Sequence, residues 1–367
     1  MFRRPRLLVI TPDFPPAPGG IQILAHRLVS HMRRVDPRVV TLSAAGTTRF
    51  DCAQPFPVRR VSRTIRRHRL AVVSLNVGAI REALTFKPDI VLSLHIVASP
   101  AAVATARLVG ASTVQYFHAD EIRFRPRLAR FAGERSDAVI AVSRYTRTLV
   151  TGLGVDQKVV RCIPNGVDVP AELPVVEKSI RPRLITVARL TKSYKGHDVV
   201  MRAMPLIKKR VPDAEWVIIG DGRVRPALER QARALGVERD VAFMGAVSDD
   251  QRDRLLRSAH VFVMPSRQPS SGAGGEGFGI VYLEANALGL PVVAGAVGGA
   301  LDAVEDGETG LLIDPTDHVA VANAVAELLL DRDRADTLGA RGRHRARDFS
   351  WSKIAGRVED LILELSP

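Results

Sequence analysis

The chain has 367 residues, enough for two domains with cores of their own, and a composition (46% hydrophobic, 25% charged) typical of a globular protein. No stretch approaches the roughly 20 apolar residues that cross a bilayer, the apolar run Leu7–Ile10 is too short for a signal peptide, and Cys52 and Cys162 stand too far apart for a metal site or a disulfide framework. The net charge of +14 is lopsided: residues 1–170 carry 26 lysines and arginines against 11 acids, whereas residues 171–367 carry 27 against 28.

Such asymmetry predicts an anionic partner for the first half, and the cysteine usage predicts a cytoplasmic protein. Along that half, short apolar runs alternate with amphipathic stretches. "RLLVI" (6–10) ends in the turn "TPDFPPAPGG", and a helical pattern follows from Ile21 to Met32. Further strands are expected at 38–44, 89–94, 112–118, 137–143 and 158–164, with a helix at 99–108 between two of them. Near-continuous apolar strands separated by helices indicate an α/β protein with a parallel sheet covered on both faces.

Residues 169–182, rich in proline and without period, read as a linker. The alternation then restarts, with strands at 183–189, 214–220, 241–245, 260–266 and 291–295. Helices are expected near 196–210, 224–236, 249–258, 279–288 and 317–330. The organisation expected is therefore 1–168, a linker at 169–182, and 183–348. A last helix in 349–367 can pack back on the first domain. Two doubly wound, Rossmann-like domains facing each other would form a cleft, with ligands beyond the carboxyl ends of the strands.

Three turns carry the chemistry. In "GGEGFGIVYLE", Gly274, Gly275, Gly277 and Gly279 allow a ligand close to the backbone, and the helix start that follows offers free amides. Glu276 before that helix and Glu284 inside it can each accept hydrogen bonds from paired hydroxyls of a sugar or ribose; the plainer reading is a capped helix with an arginine-paired Glu284. In "VARLTKSYKGHD", Arg189 and Lys195 suit a diphosphate, or are two solvated cations. In "PPAPGGIQ", Gly19 and Gly20 can place amides against a phosphate, or simply form a turn. His118 ends the strand "STVQYFH", where a histidine is either functional or structural.

Other chemistries lack their signatures. "GDGRVRP" (220–226) has no third glycine for a nicotinamide cofactor, no His or carboxylate cluster has metal-ligand spacing, and no Gly-x-Ser-x-Gly turn occurs. The run "VRRVSRTIRRHRL" (58–70) has the charge for a nucleic-acid phosphate backbone but no interleaved aromatics, so a nucleic-acid partner is not expected.

Taken together, the Glu276-x7-Glu284 spacing, Arg189 with Lys195-Gly196, "IPNGVD", "GGIQ" and "GLPVVAGAVGG" resemble retaining glycosyltransferase family 4, of GT-B fold. "ITPDFPPAPGGIQ" and "MPSR…EGFGIVYLEA" are most similar to its phosphatidylinositol mannosyltransferase-like subgroup. The resemblance implies that Glu276 holds donor-sugar hydroxyls and Glu284 the ribose. Donor contacts also fall to the amides of Phe278, Gly279 and Ile280 and to Gly19, Gly20 and Gln22, while Arg189 and Lys195 neutralise the diphosphate. His118 would lie near the reacting sugar. The Arg-to-Lys interval is one residue longer than in many members, which leaves Lys192 as an alternative to Lys195.

It further implies a nucleotide-sugar substrate, GDP-mannose first and UDP-glucose or UDP-N-acetylglucosamine otherwise. No cofactor or metal is implied, and the acceptor would be lipid-linked or a glycan. Arg59, Arg60, Arg63, Arg66, Arg67 and Arg69 would then contact an anionic membrane surface, or form a solvated basic face. A non-enzymatic sugar-nucleotide sensor is the rival class, and hydrolysis of a sugar nucleotide separates the two.

Overall fold

The computed structural model describes residues 3–17, 19–62, 68–173, 175–268 and 275–366. Gly274 and Arg63, Arg66 and Arg67 fall outside the described residues, as does the side chain of Arg69. The chain divides into two units, Met1–Gly166 with Trp351–Pro367, and Val167–Ser350.

In the first unit, strands β1 (Arg6–Ile10), β2 (Asp36–Leu42), β3 (Val58–Val61), β4 (Ile90–Ser93), β5 (Ser112–Phe117), β6 (Ala138–Ala141) and β7 (Val160–Cys162) form one sheet. Its order is β3-β2-β1-β4-β5-β6-β7, and every pairing is parallel. Leu7, Leu8, Val9 and Ile10 are fully buried, as a strand covered on both faces requires. Each contributes about 1.5–3 kcal/mol of burial. The order reverses at β1, which pairs with β2 on one side and β4 on the other. The loops after β1 and β4 therefore part there and open a crevice at the carboxyl edge.

The second unit repeats the plan with β8 (Arg183–Val187), β9 (Glu215–Ile219), β10 (Val241–Gly245), β11 (Val261–Met264), β12 (Val292–Gly295) and β13 (Gly310–Ile313). The order is β10-β9-β8-β11-β12-β13, again all parallel, with the reversal between β8 and β11.

Several features depart from the sequence reading. Residues 175–182 hold no helix or strand, yet they are docked rather than free: Lys178 Nζ donates to the Ala259 carbonyl at 2.6 Å and Ser179 N to that of Ser258 at 2.9 Å. The helix Arg332–Ala346 is hidden in a strongly charged stretch because its buried face is made of Ala335, Leu338, Gly339, Gly342 and Ala346, mostly too small to register as apolar. The last helix, Trp351–Leu365, belongs to the first unit. Its buried Glu359 accepts from the backbone N–H groups of Arg33 (2.6 Å) and Arg34 (2.5 Å), just beyond the helix Gly20–His31.

The strand β3 corrects part of the basic-surface expectation. Arg60 is only 9% exposed. Its guanidinium binds both carboxylate oxygens of Asp51, and it donates to the carbonyls of Leu42 and Pro15. An arginine so fully used inside the fold cannot contact a membrane. Arg59 remains exposed (67%), 3.5 Å from Glu82.

Candidate functional site

In the second unit the expected site residues lie on the segments that follow β8 and β11. Beyond β8 the chain passes the exposed Arg189 and makes a 3₁₀ turn, Ser193–Lys195, before the helix His197–Arg210. Gly196 joins the two at φ +80°, and a Cβ there would lie 2.1 Å from the Pro265 carbonyl oxygen. Only glycine permits that approach, and the approach carries Lys195 toward the end of β11. Lys195 Nζ meets Glu276 Oε2 at 2.6 Å, with both side chains largely buried. Both lysines lie over the Tyr194 ring, Lys195 at 5.4 Å and Lys192 at 5.7 Å. Of the two lysines, Lys195 is the one paired with Glu276.

Glu276 is held from behind by its backbone carbonyl, which accepts from Gly299 N at 2.9 Å. Gly299 has no room for a side chain: a Cβ would fall 2.2 Å from the Gly277 carbonyl oxygen. The "GAVGG" run thus has a packing reason, which is to let a second loop lie flat against the Glu276 turn. Gly279 then starts the helix Ile280–Ala287, whose first turn has no side-chain cap. Tyr282 OH donates to the Met264 carbonyl at 2.8 Å and pins that helix to β11. The Phe278 ring is buried 5.9 Å from that of Phe349, so this residue can offer a ligand its backbone only.

Glu284 is half-buried one turn further on. Burial pushes its carboxyl above the ordinary carboxylate range; the Arg252 guanidinium opposes the rise, and Asp253, Asp168 and Asp249 add to it. Asp168 and Arg252 were not singled out from sequence, because neither belongs to the motif that holds Glu284. A bidentate pair that no local pattern announces, Arg267 to Asp198 at 2.8 and 3.1 Å, ties the strand end at β11 to the first turn of the helix after Lys195.

Behind Lys195, His197 is 3% exposed, with its ring stacked on Trp216 at 6.2 Å. Burial pushes its pKa down to about 4, with Lys195 reinforcing and Asp198 opposing. His260, whose Nδ1 accepts from Arg183 N at 3.0 Å, is pushed down to about 4, again chiefly by burial. Both folded values lie below the unfolded one near 6.5, so the unfolded chain takes up these protons first. Stability is then complete above about pH 6.5 and declines as pH falls toward 4, by at most about 3 kcal/mol for the buried His197 and by less for the part-exposed His260, whose charge solvent screens. Urea unfolding across that range should show the decline, and His197→Gln should flatten it; a profile unchanged by the substitution would contradict the assignment.

In the first unit the loop Thr11–Gly19 follows β1. Phe14 is buried among His26, Phe50 and Phe56, at centroid distances of 5.9, 6.2 and 6.4 Å. Arg60 lies over the same ring at 5.6 Å. Gln22 Nε2 donates to Asp13 Oδ1 at 2.9 Å, closing the loop onto its own helix. Gly20 has open space where a Cβ would stand. At the end of β5, His118 stacks on Tyr116 at 5.2 Å, and its Nε2 lies 2.9 Å from the Leu94 carbonyl oxygen just beyond β4. Gly19, Gly20, Gln22 and His118 therefore share the carboxyl edge of this sheet, as Arg189, Lys195, Glu276 and Glu284 share the neighbourhood of β8 and β11 in the other.

Among the described residues, no group of three His, Cys, Asp or Glu side chains could hold a metal ion. No described helix is long and apolar enough to cross a membrane.

Residues 18–170 match Glycosyltransferase Family 4, and residues 174–345 match Glycosyl transferases group 1. Across 97% of this chain and 98% of the relative, 34% of residues are identical to a GDP-mannose-dependent alpha-(1-6)-phosphatidylinositol monomannoside mannosyltransferase of Mycobacterium tuberculosis. The chain belongs to glycosyltransferase family 4. The GDP-mannose-dependent monoacylated alpha-(1-6)-phosphatidylinositol monomannoside mannosyltransferase of Corynebacterium glutamicum is 30% identical over 97% of each protein. Among solved structures, Anabaena HepE with UDP and glucose aligns over 98% of this chain and all of that one, at TM-score 0.81 and 20% identity. Sucrose-phosphate synthase of Thermosynechococcus elongatus aligns over 99% of each, at TM-score 0.79 and 21% identity. The two parallel-sheet units of this glycosyltransferase are those of the GT-B fold.

Proposed function

We propose that this glycosyltransferase moves mannose from GDP-mannose to a lipid-linked acceptor of the phosphatidylinositol mannoside class, with retention at the anomeric carbon and without a metal. The observation that carries the reading is full-length identity of 30–34% to proteins bearing that activity in their names. The Glu276–Lys195 pair supports it chemically. When the donor enters, Glu276 exchanges the Lys195 ammonium for sugar hydroxyls, and Lys195 turns its charge to the diphosphate. Arg189 and the amides of Phe278, Gly279 and Ile280 share that load. Glu284 holds the ribose. The departing phosphate oxygen takes the acceptor hydroxyl proton as the new bond forms on the same face of the sugar.

A thermal-shift panel tests the donor. A ligand at 100 times its Kd stabilises the native state by about 2.7 kcal/mol. GDP and GDP-mannose should therefore raise the unfolding midpoint and UDP-glucose should not, while Glu284→Ala should lose the GDP shift. A shift with UDP-glucose alone would replace the proposed donor.

We also propose peripheral attachment to an anionic leaflet. The net charge of residues 1–170 favours it. So does the helix His68–Phe86, whose Val73, Val77 and Leu84 are 55%, 45% and 52% exposed at spacings i, i+4 and i+11, on one face with the exposed Arg81. Co-sedimentation should show binding to anionic vesicles that weakens in high salt and with Val77→Asp. Equal binding to neutral vesicles, or none to either, would leave these residues as ordinary surface.

A further inference from the structure

Beyond β5, a turn of two residues leads into the short helix Asp120–Phe124. The second of them, Ala119, has φ +92° and ψ −57° and is 2% exposed. This conformation is costly for a residue with a Cβ, and glycine would adopt it freely. Strain of this kind persists only where the surroundings over-determine it, and here they do. On one side the His118 N–H donates to Glu121 Oε1 at 2.5 Å, and the ring lies against both Tyr116 and the Leu94 carbonyl. On the other side, Ile122 N donates to the Ala119 carbonyl at 3.1 Å.

We infer that Ala119 is a positioning residue: its strained, buried turn fixes the His118 ring with Nε2–H donated to Leu94, which leaves the lone pair of the neutral ring on Nδ1. A glycine at 119 would reach the same turn but would also open the backbone regions that a Cβ forbids, and the ring would lose its single setting. The inference rests on the reading, implied by the family resemblance, that His118 lies near the reacting sugar.

Two variants and one spectrum test it. Ala119→Gly should lower kcat by about 10-fold with the donor KM unchanged, since a ring displaced by an ångström acts on the reacting geometry rather than on nucleotide binding. Ala119→Ser keeps the Cβ and should keep the rate. In histidine-selective ¹⁵N NMR, His118 should give one set of signals in the Nε2–H tautomer, and Ala119→Gly should broaden or split it. A wild-type rate and spectrum in the glycine variant would overturn the inference, as would an unfolding midpoint that falls in step with the rate. The NMR measurement needs no substrate, so it decides the point even if the parallel wild-type assay shows no mannosyl transfer.

Discussion

Glu276→Ala lowers kcat by about 10²-fold or more and leaves GDP affinity unchanged or tighter. The carboxylate is tied at 2.6 Å to Lys195, and its backbone is locked by Gly299, so in the proposed role it would meet the donor sugar already oriented. Removing it abolishes the hydroxyl acceptor that fixes the sugar against the acceptor nucleophile, a positioning effect of that order. It also releases the Lys195 ammonium from its partner, and a freed cation binds the diphosphate at least as well. Steady-state kinetics with GDP calorimetry separate the two effects. A large loss of GDP affinity with kcat preserved would assign Glu276 to the nucleotide instead of the sugar.

Lys195→Ala has the opposite signature. It removes a fixed charge from the leaving group, at a cost of about 10²–10³-fold in kcat/KM, and GDP binding weakens with it. The substitution also strands a mostly buried carboxylate, which costs roughly 1–3 kcal/mol of stability. Because the two residues share one contact, the double variant should fall well short of the product of the single losses. Activity in EDTA bears on the same point: cations supplied by Lys195 and Arg189 should let the wild-type enzyme keep most of its rate. Loss of activity in EDTA, restored by Mg²⁺ or Mn²⁺, would show that the lysine and arginine do not suffice.

What could be read from sequence was what depends on neighbours along the chain. Runs such as Leu7–Ile10 and Val261–Met264 are apolar because both faces are covered, so strand positions and the parallel class were visible in advance. The glycines around Glu276 suggest room for a ligand beside the backbone for the same local reason, and Gly279 holds φ +91° at the helix start. The Lys195–Glu276 pair spans 81 residues, and no periodicity foretells it. Arg60 misled because a buried arginine and a membrane-facing one are the same letter; only its placement on β3 against Asp51 tells them apart. Val58–Val61 was hidden by its two central arginines, and the strain at Ala119 by the ordinariness of alanine.

Mannosyl transfer from GDP-mannose to a lipid can be measured directly. The direct measurement incubates the purified enzyme, in EDTA, with radiolabelled GDP-mannose and vesicles containing a phosphatidylinositol monomannoside, then counts the extracted lipid. Labelled lipid is expected with GDP-mannose, none with labelled UDP-glucose, and at least a hundredfold less with Glu276→Ala. Labelled lipid from UDP-glucose alone, or free mannose with no labelled lipid, would contradict the proposed function.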